Sequence, residues 1–294
     1  TSLSSISNMG HSSIFKNVIF AGGGSRCLWQ LGFWDGANAA GLSLNESVTY
    51  GASTSAGSAM VTAAMLDRGR EALDLFKDMT AKNPRNIHWQ NLRPGSGKPL
   101  LPHIEMYRRA LEEFLVPEDL QRLSGKQLEF LMAKFPRWLP NGVWTFAAFT
   151  VYGLEKHLTG KLHPTWTGKM GFEPMVLGNR DALEVGDLVE MILASSCVPP
   201  VLPGDGYKGQ AVLDGGIIDN VPAHLADGRP GLTLVLLSKR YRSAPPQHEH
   251  RRYVQPSRPI RIDKFDYANP EGLQETYDQG LEDGAQFARI HSGQ

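Results

Sequence analysis

The residues of this sequence best suited to chemistry include a serine between a strand-forming run and a helix-forming run. Ser55 stands at the centre of S-T-S-A-G, residues 53–57. A serine at a sharp strand-to-helix turn exposes its hydroxyl, and its neighbours two positions away must be small to allow the turn. Ser53 and Gly57 meet that demand, although the usual G-x-S-x-G pattern has glycine in place of Ser53. The motif predicts a nucleophilic serine.

A glycine run supplies a second part of such a site. Three glycines and an arginine follow the apolar stretch 17–21 and open a helical stretch: Gly22, Gly23, Gly24 and Arg26. Glycines let backbone N–H groups approach a ligand, which suits an oxyanion hole for the anion formed when a serine attacks an ester. Arg26 either adds a positive charge there or pairs with an acid to hold the loop. A dinucleotide site is disfavoured, because Cys27 stands where G-x-G-x-x-G needs its last glycine.

A serine nucleophile needs a base, and the best candidate is Asp214. It ends an apolar run and precedes Gly215 and Gly216, which let backbone and substrate come close. Asp219 and Asp205 are the nearby alternatives. A carboxylate with an ordinary pKa of about 3.9 is a weak base unless burial raises its pKa or proton transfer accompanies attack. We therefore predict a sheltered Asp214 within hydrogen-bond reach of Ser55.

The elements that must position these residues alternate between strands and helices. The apolar runs predict strands at 17–21, 47–53, 174–179 and 231–238 and a short strand entering Asp214, with helices at 28–40, 56–69, 183–196 and 270–291. Strands alternating with helices favour an α/β fold with a mostly parallel sheet. We expect a single domain over 14–294, with residues 1–13 as a disordered tail.

The middle of the chain, 83–171, is the hardest part to interpret. It carries a Pro/Gly loop, helical stretches and a set of aromatic residues, namely Trp138, Trp144, Phe146, Phe149, Tyr152 and Trp166. An insertion that partly covers the site has this composition. Helices that pack their aromatic side chains on the sheet have it as well. We expect a helical, aromatic-rich insertion or cap.

The charge balance and the cysteine count limit which binding partners and which cellular compartment are expected. Lys plus Arg equals Asp plus Glu at 30 each, so no global field attracts nucleic acid, and none is expected as a partner. Cys27 and Cys197 are too few for a disulfide framework and have no zinc-site spacing, which favours a reducing, cytoplasmic location. No leader pattern and no long apolar stretch is visible. Between residues 239 and 264 basic residues dominate, so this segment either contacts anionic headgroups or forms a solvated loop.

Three separated motifs together resemble those of the patatin-like phospholipases. They are GGGSR at 22–26, S-T-S-A-G at 53–57 and D-G-G at 214–216, supported by ILASSCVPPVLP at 192–203 and DGGIIDNVP at 214–222. The similarity is strong over 14–70 and 173–240 and faint between them. The departures from the family pattern are Cys27 and Ser53, and neither removes a catalytic group.

The resemblance implies a three-layer α/β/α fold with a Ser55–Asp214 dyad and an oxyanion loop at Gly23, Gly24 and Arg26. It implies hydrolysis of acyl esters of membrane glycerophospholipids or lysophospholipids, with peripheral membrane contact and with no cofactor or metal. Two alternatives stay open. One is a Ser–Asp–His triad using His224, His248, His250 or His291, and the other is a catalytically silent lipid-binding module. The headgroup, the scissile position and the oligomeric state are not defined by the sequence, and a neutral lipid or a thioester also fits.

Overall fold

The computed structural model describes residues 14–92, 100–134, 171–199, 201–202, 206–241 and 244–291. Its strands are β1 (Phe15–Phe20), β2 (Tyr50–Thr54), β3 (Gln127–Lys134), β4 (Glu173–Gly178), β5 (Val212–Asp214), β6 (Leu232–Leu236) and β7 (Arg251–Val254). Its α-helices are α1 (Leu28–Ala39), α2 (Leu44–Ser47), α3 (Gly57–Met65), α4 (Gly69–Ala81), α5 (His103–Phe114), α6 (Glu118–Arg122), α7 (Val185–Ser195) and α8 (Pro270–His291).

The described strands form one mixed, mostly parallel sheet. Its order is β4-β3-β2-β1-β6-β7, and β5 also pairs with β3. The pairs β1–β2, β1–β6, β2–β3 and β6–β7 are parallel, whereas β4 and β5 run antiparallel to β3. The carboxyl ends of the parallel strands meet at one edge, where open α/β sheets bind their ligands. The predicted α/β class and mostly parallel sheet are confirmed.

Side-chain alternation along β1 gives the sheet two buried faces. Val18 and Phe20 belong to the large core, into which α1, α3, α4, α5, α7 and α8 also pack. Ile19 and Ala21 belong to a smaller core on the opposite face. This is the strand geometry in which successive side chains point to opposite faces. Among the described residues, that second face is covered by the short 3-10 helix Ala223–Ala226 and its neighbours.

Helix α1, which begins just after the glycine run, is held in place by close contact with α8. A Cβ atom on Gly32 or Gly36 would overlap the backbone of α8. In the same way, a Cβ atom on Gly280 or Gly284 would overlap the backbone of α1. Glycine permits this approach because it has no side chain. The contact sets the position of α1 against the sheet.

The structure departs from the sequence prediction within 83–171. Helices α5 and α6 lie there as expected, but so does β3, which pairs with β2, β4 and β5 in the middle of the sheet. The interpretation of this whole segment as a helical insertion is therefore wrong for β3. Its sequence, QLEFLMAK, lacks strict alternation because most of its side chains are buried on both faces, and such a run cannot be distinguished from a buried helix by periodicity.

The structure agrees with some of the other predicted elements and differs from others. The predicted helices at 28–40 and 270–291 agree closely with α1 and α8. Part of the basic segment forms the edge strand β7 rather than a loop. The predicted tail 1–13 and the aromatic residues between 138 and 166 lie outside the described residues. Within the described ranges, no helix combines the length and apolarity needed to cross a bilayer.

We expect Gly284→Ala to lower the free energy of unfolding by about 1–3 kcal/mol, because the added methyl group is forced against the backbone of α1. Gly125→Ala is the matched control, since a Cβ atom there meets nothing within 4 Å. Urea denaturation followed by circular dichroism measures both variants. Equal stability of the two variants would contradict the close packing of α1 on α8.

Candidate active site

Two strand ends meet head to head on β3 and bring the predicted serine and aspartate to neighbouring positions. β2 runs parallel to β3 and ends at Thr54, which pairs with Leu131. β5 runs antiparallel to β3 and ends at Asp214, which pairs with the next residue, Met132. Because β4 occupies the other edge of β3 over this stretch, β2 and β5 share one edge and point toward each other. Ser55 follows Thr54 and therefore lies next to the end of β5.

Ser55 has a backbone conformation that most residues avoid. Its φ is 56°, in the left-handed region that costs an L-residue about 1–2 kcal/mol. The Ser55 amide donates to the backbone oxygen and to Oγ of Ser195, each at 3.1 Å. A Cβ atom on Gly57 would lie 2.7 Å from the carbonyl oxygen of Phe20, so a small residue is required there. These contacts form the sharp strand-to-helix turn that S-T-S-A-G predicts.

A chain of buried hydroxyls supports this turn and accounts for Ser53. The Ser53 side chain is fully buried, and its Oγ donates to Oγ of Ser58 at 3.1 Å. Ser58 Oγ donates to Ser195 Oγ at 3.1 Å, and Ser195 Oγ donates to the Leu131 carbonyl at 2.8 Å. The chain thus connects β2, α3, α7 and β3. The role of Ser195 was not predicted from the sequence, in which the only indication of its importance is its place in the block 192–203.

The glycine run lies directly against the serine turn. A Cβ atom on Gly22 would lie 3.0 Å from Cβ of Ser55. The Gly22 N–H donates to the carbonyl oxygen of Asn220 at 3.0 Å, and the Asn220 Nδ2 donates back to the Gly22 carbonyl at 2.9 Å. Ser238 Oγ donates to the same carbonyl at 2.5 Å. Asn220 and Ser238 therefore fix the peptide groups around Gly22, and the N–H of this predicted oxyanion residue is already engaged.

The backbone N–H groups of Gly23 and Gly24 differ from that of Gly22 in having no bound acceptor within the described part of the chain. Gly24 has φ 60°, and a Cβ atom on it would overlap the Lys264 carbonyl, so glycine is required at this position. Cys27 stands in place of the last glycine of the pattern and is buried, with its Sγ 3.4 Å from the Ala21 carbonyl. Gly23 and Gly24 are the better candidates for oxyanion donors.

Arg26 fastens this loop to the C-terminal part of the chain. Its Nε donates to the Ile262 carbonyl at 2.9 Å, and its guanidinium lies 3.6 Å from the carboxylate of Asp263. The Ser25 amide donates to the Lys264 carbonyl at 2.9 Å. These are the loop-holding contacts that the sequence suggested as one of the two roles for this arginine.

Asp214 is sheltered, as predicted, with 6% of its surface exposed. Its Oδ1 accepts the Gly216 N–H at 2.7 Å, and its own amide donates to the Cys197 carbonyl at 2.8 Å. A Cβ atom on Gly215 would lie 2.5 Å from Oγ1 of Thr54, which brings this turn against the end of β2. Burial raises the pKa of the Tyr107 hydroxyl, and the charge of Asp214 adds to that effect.

An apolar pocket opens beside the serine turn. Gly24 and Ser25 of the glycine run and Ala56, the residue after the serine, form part of its wall. Most of the remaining wall consists of apolar side chains from α3, α4 and α5, among them Met60 and Phe114. The cavity volume of the pocket is about 60 Å³. The pocket is narrow and suits a slender apolar chain.

The other candidate acids and histidines have different surroundings. Asp219 accepts the Val221 N–H at 2.9 Å and lies 3.3 Å from Nδ1 of His224, whose side chain is half exposed. His291 contacts the Phe287 carbonyl at the end of α8, and Asp205 lies outside the described residues. Over the described ranges, no cluster of three or more His, Cys, Asp or Glu side chains has the proximity needed to hold a metal ion.

A comparison with models of protein families identifies one family for this sequence. The sequence model of the family described as patatin-like phospholipase matches residues 18–227, a range that contains the glycine run, Ser55 and Asp214. A comparison with curated protein sequences finds no significant match. Among solved structures, the fold is similar to that of VipD from Legionella pneumophila, with 12% sequence identity and a TM-score of 0.42, over 94% of this chain and 67% of that one.

The left-handed conformation at Ser55 predicts an unusual order of stability. Ser55→Gly should be more stable than Ser55→Ala by about 1 kcal/mol, because both variants lose the hydroxyl and only alanine retains the backbone penalty. At Ser58, which is helical, the order should be reversed by about 1 kcal/mol. Urea unfolding of the four variants measures both differences. Greater stability of Ser55→Ala than of Ser55→Gly would show that Ser55 is not strained.

Proposed function

Because the chain belongs to the patatin-like phospholipase family, we propose that it is a serine acyl hydrolase that cleaves fatty-acyl esters of membrane glycerophospholipids or lysophospholipids. The observation that supports this best is the head-to-head approach of β2 and β5, which brings Ser55 and Asp214 to neighbouring positions on β3. A nucleophile next to a base is the arrangement that covalent ester hydrolysis needs.

In the proposed reaction, Ser55 Oγ attacks the ester carbonyl carbon as Asp214 takes its proton. The carbonyl then re-forms, the bond to the leaving alcohol breaks, and Asp214 returns the proton to that alcohol. In the second half a water molecule attacks the acyl carbon as Asp214 takes its proton. The bond between that carbon and Ser55 Oγ then breaks, Asp214 returns the proton to Ser55 Oγ, and the fatty acid is released. The Gly216 N–H holds Oδ1 of the aspartate, which fixes the direction of the carboxylate.

The oxyanion formed in each half of this reaction needs donors that are in place beforehand. The N–H groups of Gly23 and Gly24 supply them in our proposal, because they have no other acceptor among the described residues. The start of α3, directly after the serine, adds the positive end of a helix dipole. Asn220 and Ser238 act through the loop by fixing Gly22.

The narrow apolar pocket gives the fatty-acyl chain its place. It reaches the serine turn at Ala56 and the glycine loop at Gly24, so a chain that fills it has its ester next to Ser55. Burying apolar surface there provides binding energy of about 25 cal/mol per Å². A substrate of this kind is drawn from a lipid surface, and peripheral membrane contact and a cytoplasmic location remain part of the proposal.

We expect Ser55→Ala and Asp214→Asn each to lower ester hydrolysis by about 10³-fold or more, because each removes a group that acts in both halves of the reaction. Release of fatty acid from a mixed phospholipid panel, followed by mass spectrometry, measures this. A fluorophosphonate probe should label the wild-type protein and not Ser55→Ala.

His224→Ala, His248→Ala, His250→Ala and His291→Ala are the matched controls and should retain turnover. Loss of turnover in one of them would favour the Ser–Asp–His triad. A folded wild-type protein that neither reacts with the probe nor releases fatty acid would favour the silent lipid-binding module instead.

Asn220→Ala tests the oxyanion loop. We expect kcat to fall by about 100-fold, with KM little changed, because the loss of the side-chain contact with the Gly22 carbonyl displaces the neighbouring donors, which act on the transition state. Asn38→Ala, which loses a side-chain contact at the far end of α1, is the control and should keep its kcat. A change confined to KM would assign Asn220 to substrate binding rather than to positioning.

A further inference from the structure

A recess at the active-site edge of the sheet plays no part in the steps described so far. It lies beyond the glycine loop, and its wall includes Arg26, Lys239, Arg240, Tyr241 and Gln255. None of the described residues that line it is acidic. The recess is therefore polar and positively charged, in contrast to the apolar pocket.

Its distance from the serine follows from the sheet. Phe20 of β1 pairs with Ser53 on one side and with Leu236 on the other. Ser55 follows the end of β2, and Lys239 lies three residues beyond the end of β6. These two strands are separated by β1, so the strands are about 10 Å apart, or two strand spacings.

Lys239 carries a charge that the surrounding protein does not compensate. It is half-buried, and its Nζ lies 4.5 Å from the centre of the Tyr241 ring. No acidic side chain in the described ranges forms an ion pair with it. Burial, together with the positive charges of Lys264 and Arg26, lowers the pKa of Lys239. A bound anion would relieve both effects, since an opposite charge favours the charged form.

The two arginines of the recess have different surroundings. Arg26 is engaged by Asp263 and by the Ile262 carbonyl. Arg240 is exposed, and its guanidinium donates to the Ser257 carbonyl. In the described part of the chain it pairs with no acid. Lys239 and Arg240 therefore supply the net positive charge that an anionic group would meet.

We propose that this recess binds the phosphate ester group of the substrate, with Lys239 and Arg240 as its ligands. The inference rests on the proposed hydrolase function and names the residues that would distinguish a phosphorylated glycerolipid from a neutral one. In a glycerophospholipid about five or six bonds separate the scissile carbonyl carbon from phosphorus, and adding a P–O bond and an N–H···O contact gives a reach of about 10 Å. This reach is comparable to the spacing between β2 and β6, the strands whose ends lead into Ser55 and Lys239.

The test compares two soluble substrates that differ only in the headgroup, 1,2-dihexanoylglycerophosphocholine and 1,2-dihexanoylglycerol. For Lys239→Gln/Arg240→Gln we expect the ratio of kcat/KM for the phospholipid to kcat/KM for the diacylglycerol to fall at least tenfold, through KM. Arg258→Gln is the matched control, because it removes an exposed arginine that pairs with Glu282 and is not among the residues that line this recess, and it should keep the wild-type ratio.

An equal fall in activity on both substrates would overturn the proposal, because a phosphate site acts only on the phosphorylated one. An unchanged ratio would overturn it as well, as would a wild-type preference for the diacylglycerol. If the wild-type protein cleaves neither substrate, the proposed hydrolase function fails by itself. The recess is then judged by binding of sn-glycerol 3-phosphate to the wild-type protein, which the double substitution should abolish.

Inorganic phosphate separates a substrate headgroup from a free anion. If the recess holds the headgroup, phosphate should compete with the phospholipid in the wild-type protein, raise its KM and leave hydrolysis of the diacylglycerol unaffected. Binding of phosphate without competition would assign the recess to a free anion and overturn the substrate assignment. Thermal unfolding of the double variant establishes that the protein is folded.

Discussion

The site depends on one constraint, which is that two strands share a single edge of β3 and end facing each other. β2 occupies this edge up to Leu131, and β5 occupies it from Met132 onward. The positions of Ser55 and Asp214 are thus set by backbone hydrogen bonds of the sheet rather than by contacts between long side chains. Groups held in this way lose little entropy when they react, which is the condition for efficient positioning.

The strained conformation of Ser55 is stable only because its surroundings determine it from several directions. The backbone oxygen and the hydroxyl oxygen of Ser195 both accept the Ser55 N–H, and the Ser195 hydroxyl donates to the Leu131 carbonyl on β3. The glycine loop on the opposite side is fixed by Asn220 and Ser238, while the packing of α1 on α8 holds the helix that follows it. Strain of about 1–3 kcal/mol is typical of functional turns and persists where the structure leaves no alternative.

The glycine loop has an apolar pocket on one side and a positively charged recess on the other. Together these two environments suit an amphiphilic molecule. The apolar pocket reaches Gly24 and Ala56, whereas the cationic recess begins at Arg26 and Lys239. A substrate with an apolar chain, an ester and a phosphate in that order would place each part in a complementary environment. The glycine loop thus separates the apolar pocket from the cationic recess, and its backbone N–H groups lie between them.

Local patterns in the sequence were sufficient to predict the motifs and most of the helices and strands. Small residues around Ser55 and the glycines at 22–24 predict their turns because steric demands act over a few neighbours. The position of β3 and the partners of Gly22 depended on tertiary structure. The strand is buried on both faces and has no diagnostic period, and Gly22 is bound by a side chain 198 positions away. Ser53 and Ser195 show the same limit, because a buried hydroxyl is defined by the partner that folding brings to it.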